Sequence, residues 1–392
     1  MNDFNLYTPT EIIFGRDTEL KTGQTVRRHQ ASRVLVVCGG QSARRSGLLG
    51  RIERNLDEAG IAHTLLDGIH PNPLDDKVYE GIDLCRRHSI EMILAVGGGS
   101  AIDTAKAIAV GAPYDGDFWD FFAGTARAQT ALPIGVVLTI PAAGSESSGN
   151  SVITRRSGLL KLGIRYHRLL RPRFAIMNPE LTFTLPPFQT ACGIVDMMVH
   201  ILERYFTNTA GVDLTDRLCE GLLTSIMAQA NAVMTDPTDY DARANIMLAG
   251  TLAHNGLCGV GREEDWATHY MEHELSALYD VAHGAGLAVM LPAWMTFVAP
   301  RNPGRLALLG RRVFGISPTL DATAAAEQTT LEMKRFFGRL GMPANFADIG
   351  ADPADIDTLV GKLHANKGET VGFYCRLDRA ATREIFTIAA HQ

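Results

Sequence analysis

No stretch of this 392-residue chain approaches the ~20 consecutive apolar residues that a membrane-spanning helix needs, although 46% of it is hydrophobic. Surplus positive charge is also missing. The 37 Lys and Arg are outnumbered by 43 Asp and Glu, for a net charge of −6, so there is no basic footprint for nucleic acid. The six cysteines are scattered without a C-x-x-C pair. They read as reduced thiols, most of them small core residues, and none is assigned a catalytic role. The opening MNDFNLYTPTEIIFG lacks the basic start and apolar core of an export signal, which leads us to expect the cytoplasm. What remains is a globular composition of a length that implies about two domains.

The order of patterns along the chain says what those domains are. "RVLVVCG" (33–39), "AHTLLDG" (62–68), "EMILAVGG" (91–98) and "PIGVVLTIP" (133–141) read as strands, with helical patterns between them at 46–59, 75–88 and "AIDTAKAIAVGA". Strand–helix alternation of this kind predicts a parallel α/β sheet with helices on both faces. Beyond "LTFTLPP" (181–187), long helical periodicities take over, at 188–206, 213–233, 240–257, 264–279, 284–297, 322–340, 355–365 and 378–390. Pro186-Pro187 makes a natural hinge, because proline disfavours helix in the residue before it. We therefore expect an α/β domain over 1–185 and an all-helical domain over 186–392.

Three loops at strand ends carry chemistry. Gly97-Gly98-Gly99-Ser100 lies between a strand and a helix, where bare backbone and free N–H groups suit a pyrophosphate. Ser100 and Asp103 also have the spacing of a capping box. The loop is not the G-x-G-x-x-G fingerprint, so a standard dinucleotide motif is excluded. A second loop, "VVCGGQSARRSG", holds Gly39, Gly40 and Ser42 ahead of Arg44 and Arg45, with no carboxylate from Val36 to Gly50. An acid near this level suits the ribose 2′-hydroxyl of NAD, and an arginine suits a 2′-phosphate; the loop points towards NADP, with NAD still possible. The third, "TIPAAGSESSGNS" (139–151), faces the ligand crevice at the carboxyl edge of such a sheet.

The second half supplies metal-ligating side chains. Asp196 and His200 in "GIVDMMVH" are four residues apart on a predicted helix, as are His269 and His273 in "HYMEHELSALYDVAH". Residues i and i+4 share a helix face. Spacing alone nominates both members of the second pair and leaves His283 beyond the helix end. The segment is not H-E-x-x-H, because Leu275, Ser276 and Ala277 follow His273-Glu274. One carboxylate with two or three imidazoles suits divalent iron or zinc. A redox site in an interdomain cleft is the economical reading of loops and ligands together.

These residues together resemble the metal-dependent (iron-containing) alcohol dehydrogenases, and within them the butanol dehydrogenase-like aldehyde reductases. The segments that carry the resemblance are "YTPTEIIFG", "HPNP", "GGGSAIDTAKAIA", "GSES", "NPELTFTLPP", "GIVDMMVH", "DWATHYMEHELSALYDVAHGAGLAV" and "LPAW", and they run nearly end to end. The resemblance implies a dehydroquinate synthase-like architecture. It implies Asp196, His200, His269 and His283 as ligands of one Fe(II) or Zn(II), with His273 beside the nicotinamide as a catalytic residue. It puts Gly97, Gly98, Gly99 and Ser100 on the pyrophosphate, and Asp103 near the nicotinamide with a catalytic role. Gly39, Gly40 and Ser42 fall at the adenosine ribose, Thr139 and Ser145 near the cofactor, and Lys161 at a ribose hydroxyl. One position departs from the family pattern: Ala143 replaces the threonine of T-G-S-E, which removes one hydroxyl from the cofactor's surroundings.

The implied reaction is reversible hydride transfer between NAD(P) and a primary alcohol or aldehyde of butanol or butanal type. His273 is the candidate proton relay or, alternatively, a positioning group. Trp266, Phe122 and Phe373 are candidates for an apolar substrate pocket or for core. A glycerol dehydrogenase-like or dehydroquinate synthase-like enzyme of the same architecture, and a non-catalytic metal-binding structural protein, are the competing readings. A homodimer is expected, with the "TEIIFG" strand pairing across subunits.

Overall fold

The computed structural model describes all 392 residues, and they fold as two compact units. The sheet unit takes residues 7–185 and 237–255; the helical unit takes 1–6, 186–236 and 256–392.

Eight strands lie in the sheet unit: β1 (Glu11–Phe14), β2 (Arg33–Cys38), β3 (Ala62–Leu66), β4 (Met92–Gly97), β5 (Ile134–Leu138), β6 (Asn150–Arg155), β7 (Leu160–Arg165) and β8 (Phe174–Met177). Six of them form one all-parallel sheet in the order β1-β8-β5-β4-β2-β3, and β6 and β7 make a separate antiparallel hairpin. The run Val34–Cys38 shows why. Val34, Val36 and Cys38 enter one apolar layer with Ile52, Leu56 and Phe174, and Leu35 and Val37 enter the opposite one with Ile82, Ile108 and Val136. A strand buried on both faces reads as a continuous apolar run, and such strands pair in parallel beneath helices. Those helices, Leu48–Glu58, Asp75–Arg87 and Gly99–Gly111, occupy the connections after β2, β3 and β4.

Strand order then determines where a ligand sits. The chain leaves β2 outward to β3, then returns across β2 to β4. The reversal lies between β2 and β4, and in open α/β sheets ligands bind beyond the carboxyl ends of the strands at such a switch point. Cys38 pairs in register with Val96, and Gly97 with Leu138. The three polar loops that follow β2, β4 and β5 are therefore neighbours.

The four strands expected from sequence are β2 to β5. The four-residue strand β8 and the hairpin β6–β7 were not anticipated, and β1 was expected as the "TEIIFG" strand pairing across subunits. β1 does not wait for another subunit: it pairs along one edge with β8, Glu11 opposite Phe174, and its other edge ends the sheet. A second difference concerns helix Tyr240–His254, which lies in the half of the chain assigned by sequence to the helical domain. It packs with the sheet unit because its inner face carries partners for the loop after β5. Thr251 Oγ1 donates to Glu146 Oε1 at 2.5 Å, and a side chain at Gly144 would meet Gly250 O and His254 Cβ at 2.6 and 2.7 Å.

In the helical unit, Pro187–Tyr205, Ala267–Tyr279 and His283–Val298 pack on one another. Glycine sets two of the spacings. A Cβ on Gly284 would lie 2.2 Å from Cys192 O and 2.6 Å from its carbonyl carbon, and one on Gly286 would lie 2.8 Å from Glu272 Cγ. Helix Pro187–Tyr205 thus meets helix His283–Val298 backbone to backbone at Gly284. Because main-chain atoms cannot swing aside as a side chain does, Gly284→Ala is expected to separate the two helices at a cost of about 1–3 kcal/mol, read as a lower denaturant midpoint with unchanged slope; an unchanged midpoint would contradict this packing.

Candidate metal centre

Helix Pro187–Tyr205 begins at a proline, which suits a first turn, and runs 19 residues. Its length puts Asp196 and His200 well inside a buried stretch that extends from Gly193 to Tyr205. Around Asp196 Oδ1 gather His200 Nδ1 at 2.8 Å, His269 Nε2 at 3.8 Å and His283 Nε2 at 3.8 Å. His269 is on helix Ala267–Tyr279, and His283 is the first residue of the next helix rather than a loop residue. Its ring lies 5.2 Å from that of His269, centroid to centroid.

The Nδ1 of each imidazole is held. His269 Nδ1 donates to Glu203 Oε2, His283 Nδ1 to Glu272 Oε2, and His200 Nδ1 to the main-chain oxygen of Asp196 at 2.9 Å. Glu203 is fixed in turn by the N–H groups of Thr268 and His269, at 2.9 and 3.1 Å, and by the Thr268 hydroxyl. A carboxylate behind an imidazole selects the tautomer with a free Nε2 and increases its basicity. Burial on its own would lower His269, but the Glu203 charge prevails and raises its imidazole to about 9. Asp196 is held well below the usual carboxylate range: burial opposes ionisation, and the charges of His200 and His283 outweigh it.

Two atoms at the focus, Asp196 Oδ1 and His269 Nε2, are buried with no hydrogen-bond partner. Leaving such groups unsatisfied costs about 1–3 kcal/mol each, so a cation between them fits the donor set. Two groups of side chains have ligand atoms close enough to share an ion, Asp196–His200–His269 and Glu272–His273–His283. Glu272 already orients His283, which argues for His283 joining the first group and Glu272 standing behind it. His273 is buried, 6.4 Å from His269 and 5.7 Å from His283 between ring centroids.

Comparison with known proteins gives the family. Residues 9–179 match the family model described as iron-containing alcohol dehydrogenase, and residues 190–386 match the C-terminal model of the Fe-containing alcohol dehydrogenases. The chain belongs to the iron-containing alcohol dehydrogenase family. It is an NAD(P)- and metal-dependent alcohol oxidoreductase. Similar proteins include NADH-dependent butanol dehydrogenase A of Clostridium acetobutylicum, 36% identical over 98% of this chain and 99% of that one. The NADPH-dependent aldehyde reductase YqhD of Escherichia coli is 35% identical over 99% of this chain and all of its own length. The crystal structure of NADH-dependent butanol dehydrogenase A from Thermotoga maritima superposes with a TM-score of 0.96 at 37% identity, covering 100% of this chain and 99% of that one.

In this family member the glycine loops lie where the sheet reverses. Thr139 N donates to Gly97 O at 3.0 Å, so Thr139 borders the loop Gly97–Ser100. The expected capping box does not form. Ser100 is inside helix Gly99–Gly111, and the Asp103 carboxylate instead accepts from Ser145 Oγ at 2.6 Å and Val152 N at 2.9 Å. Buried Lys106 completes that lacing, donating to Ser145 O, Ser145 Oγ and Asn150 O at 2.7, 2.8 and 2.8 Å. Burial pushes its ammonium down to about 8, against the opposing pull of Asp103. Lys161 is on β7, where its Nζ donates to Asn72 Oδ1 at 2.9 Å. Gly39 and Gly40 follow β2, and Ser42 opens a short helix over Ser42–Arg45.

Of the three aromatic candidates, Phe122 is core of the sheet unit, stacked on Trp119 with centroids 5.3 Å apart. Phe373 is exposed, its N–H bound to Asp265. Trp266 lies edge-on to His200 and His269 at 5.8 and 5.2 Å, with the Arg204 guanidinium 4.7 Å over its ring. Its φ of 129° is a strained value for a non-glycine residue, held by Asp265, whose carboxylate accepts from the N–H groups of Trp266 and Ala267.

Glu203, Glu272 and Lys106 were not singled out from sequence. Glu203 stands three residues after His200 and Glu272 three after His269, spacing that shares the ligand face. Exchanging either for glutamine keeps shape and removes charge. We predict that Glu203→Gln and Glu272→Gln each weaken Zn(II) binding by about 10–100-fold in competition with a chromogenic chelator, with an unaltered circular dichroism spectrum. Unaltered affinity in both would mean that the carboxylates do not support the imidazoles.

Proposed function

We propose that the chain interconverts aldehydes and primary alcohols of about butanal size, with Asp196, His200, His269 and His283 as the metal ligands and His273 as proton relay. The observation that carries this reading is the focus of three imidazoles on the buried Asp196 Oδ1, two of them braced by buried glutamates. The butanol dehydrogenases among the relatives support the substrate size.

When bound, the divalent ion supplies Lewis-acid polarisation of the substrate oxygen, and the nicotinamide supplies or accepts the hydride. The chain's own residues do the rest. Asp196 offsets the cation's charge, while Glu203 and Glu272 keep His269 and His283 aimed. Gly97, Gly98, Gly99 and Ser100 hold the pyrophosphate at the start of their helix. Gly39, Gly40 and Ser42 take the adenosine ribose, and Lys161 a ribose hydroxyl. Asp103 serves the nicotinamide end by anchoring Ser145, which lies beside Thr139 in the same loop region. His273, on the helix face of His269, carries the proton between the substrate oxygen and solvent.

A homodimer is supported by the open edge of β1, where Ile12 and Phe14 are 36% and 38% exposed; an unprotected edge strand is a template for pairing with a second copy. The six cysteines are free, which supports a reducing cytoplasmic location. No helix is long and apolar enough to cross a membrane.

Chelator-stripped protein should be inactive towards butanal and recover with Fe(II) or Zn(II). His273→Gln should lower kcat by about 10²–10⁴-fold with metal content unchanged by mass spectrometry; loss of metal alongside activity would make His273 a ligand rather than a relay. In sedimentation, the native chain should run as a dimer and the double variant Ile12→Lys, Phe14→Lys as a monomer. A native monomer removes the dimer from this account.

A further inference from the structure

The two arginines after β2 were read from sequence as a site for a 2′-phosphate, in a loop with no acid of its own. The fold supplies the acid from the next strand. β2 and β3 run parallel with Val37 opposite Leu66, so Asp67 comes level with Cys38 at the carboxyl edge of the sheet. The chains stay together beyond the strands: Ile69 N donates to Cys38 O and Gly68 N to Gly39 O, both at 3.3 Å. Asp67 Oδ2 then takes the Arg44 guanidinium at 2.5 Å. Burial, with the Asp67 charge adding to it, pushes the Cys38 thiol up to about 11.

This pair does little for stability. Both side chains are nearly half exposed, at 45% and 49%, and an exposed pair of that kind contributes about 0–1 kcal/mol. Its place is informative instead. The neighbouring strands β2 and β4 end in the two glycine loops, and Asp67 stands one strand further out, about 4.8 Å, on the side of the loop bearing Gly39 and Gly40. A ribose bound at that loop turns its 2′-substituent towards whatever borders the loop. A 2′-hydroxyl meets a carboxylate that accepts its proton. A 2′-phosphate meets like charge, and the arginine that would receive it is already engaged.

We infer that Asp67, with Arg44 held against it, is the residue that makes this enzyme select NAD(H) over NADP(H). The inference rests on the reading of the glycine loops as the dinucleotide site. Removing the carboxylate has two effects of the same sign, since it lifts the repulsion and releases Arg44 towards the phosphate beside Arg45.

The test uses full-length, metal-loaded protein as wild type, Asp67→Asn, Arg44→Ala and the double variant. Calorimetric titration with NADH, NADPH and 2′,5′-ADP is set beside kcat/KM for butanal with each dinucleotide. Wild type should bind NADH about tenfold or more tightly than NADPH, the size of one close charge interaction in solvent-exposed surroundings. Asp67→Asn should strengthen NADPH and 2′,5′-ADP binding by about the same factor and weaken NADH binding, which loses the acceptor of its 2′-hydroxyl, and adding Arg44→Ala should reverse the gain. A wild type that prefers NADPH, or an Asp67→Asn effect equal for both dinucleotides, overturns the inference. Failure of all three ligands to bind overturns it together with the dinucleotide reading. The predicted binding pattern without turnover of any aldehyde would uphold the selectivity and count against the proposed reaction.

Discussion

The helical unit depends on burying ionisable groups that would not tolerate burial singly. Asp196, Glu203 and Glu272 are 4%, 2% and 0% exposed, and an isolated buried carboxylate costs several kcal/mol. Each is admitted by an imidazole, and each imidazole by a carboxylate or carbonyl, until the chain of pairings ends at Asp196 Oδ1 and His269 Nε2. Neither atom has a hydrogen-bond partner. A divalent cation between them would close the network, and because it would bind only the folded arrangement, it would also stabilise that arrangement in proportion to its affinity. The helix contacts at Gly284 and Gly286 keep His283 and Glu272 in range, and the strained backbone at Trp266 lets its indole wall the imidazoles.

The sheet unit follows a different logic, in which topology does what charge does in the helical one. Reversal of strand order between β2 and β4 creates the crevice, and the glycine loop after β4 borders it. Asp103 and Lys106, from the helix that follows that loop, reach the third loop and fix Ser145 and the start of β6. The buried lysine is tolerated because three oxygens satisfy its ammonium and Asp103 offsets its charge.

Much of this was legible in the sequence, for reasons visible residue by residue. β2, β4 and β5 announced themselves as apolar runs because both their faces are covered. Asp196 and His200, and His269 with His273, showed the helical i,i+4 relation, but spacing could not choose between His273 and His283 as ligand; that choice depends on a turn at Asp280 that brings the next helix back onto the first. The strand β8 is four residues long, too short for periodicity to register. Helix Tyr240–His254 was recognised as a helix and assigned to the wrong unit, because periodicity reports that a face is apolar and says nothing of what covers it. The Arg44–Asp67 pair spans 23 positions and exists only through the register of β2 with β3, so a local scan for an acid found none. Glu203 and Glu272 sat at ligand-face spacing, yet a lone glutamate on a helix is ordinarily solvated.

The most direct test of the account is an anomalous-difference map, recorded at the zinc edge, from crystals of the zinc-loaded protein. The account predicts one ion about 2.0–2.2 Å from an Asp196 oxygen and from nitrogens of His200, His269 and His283, with His273 outside the coordination sphere and Glu203 and Glu272 behind their imidazoles. An ion held instead by Glu272, His273 and His283, or no ion at Asp196, would contradict it.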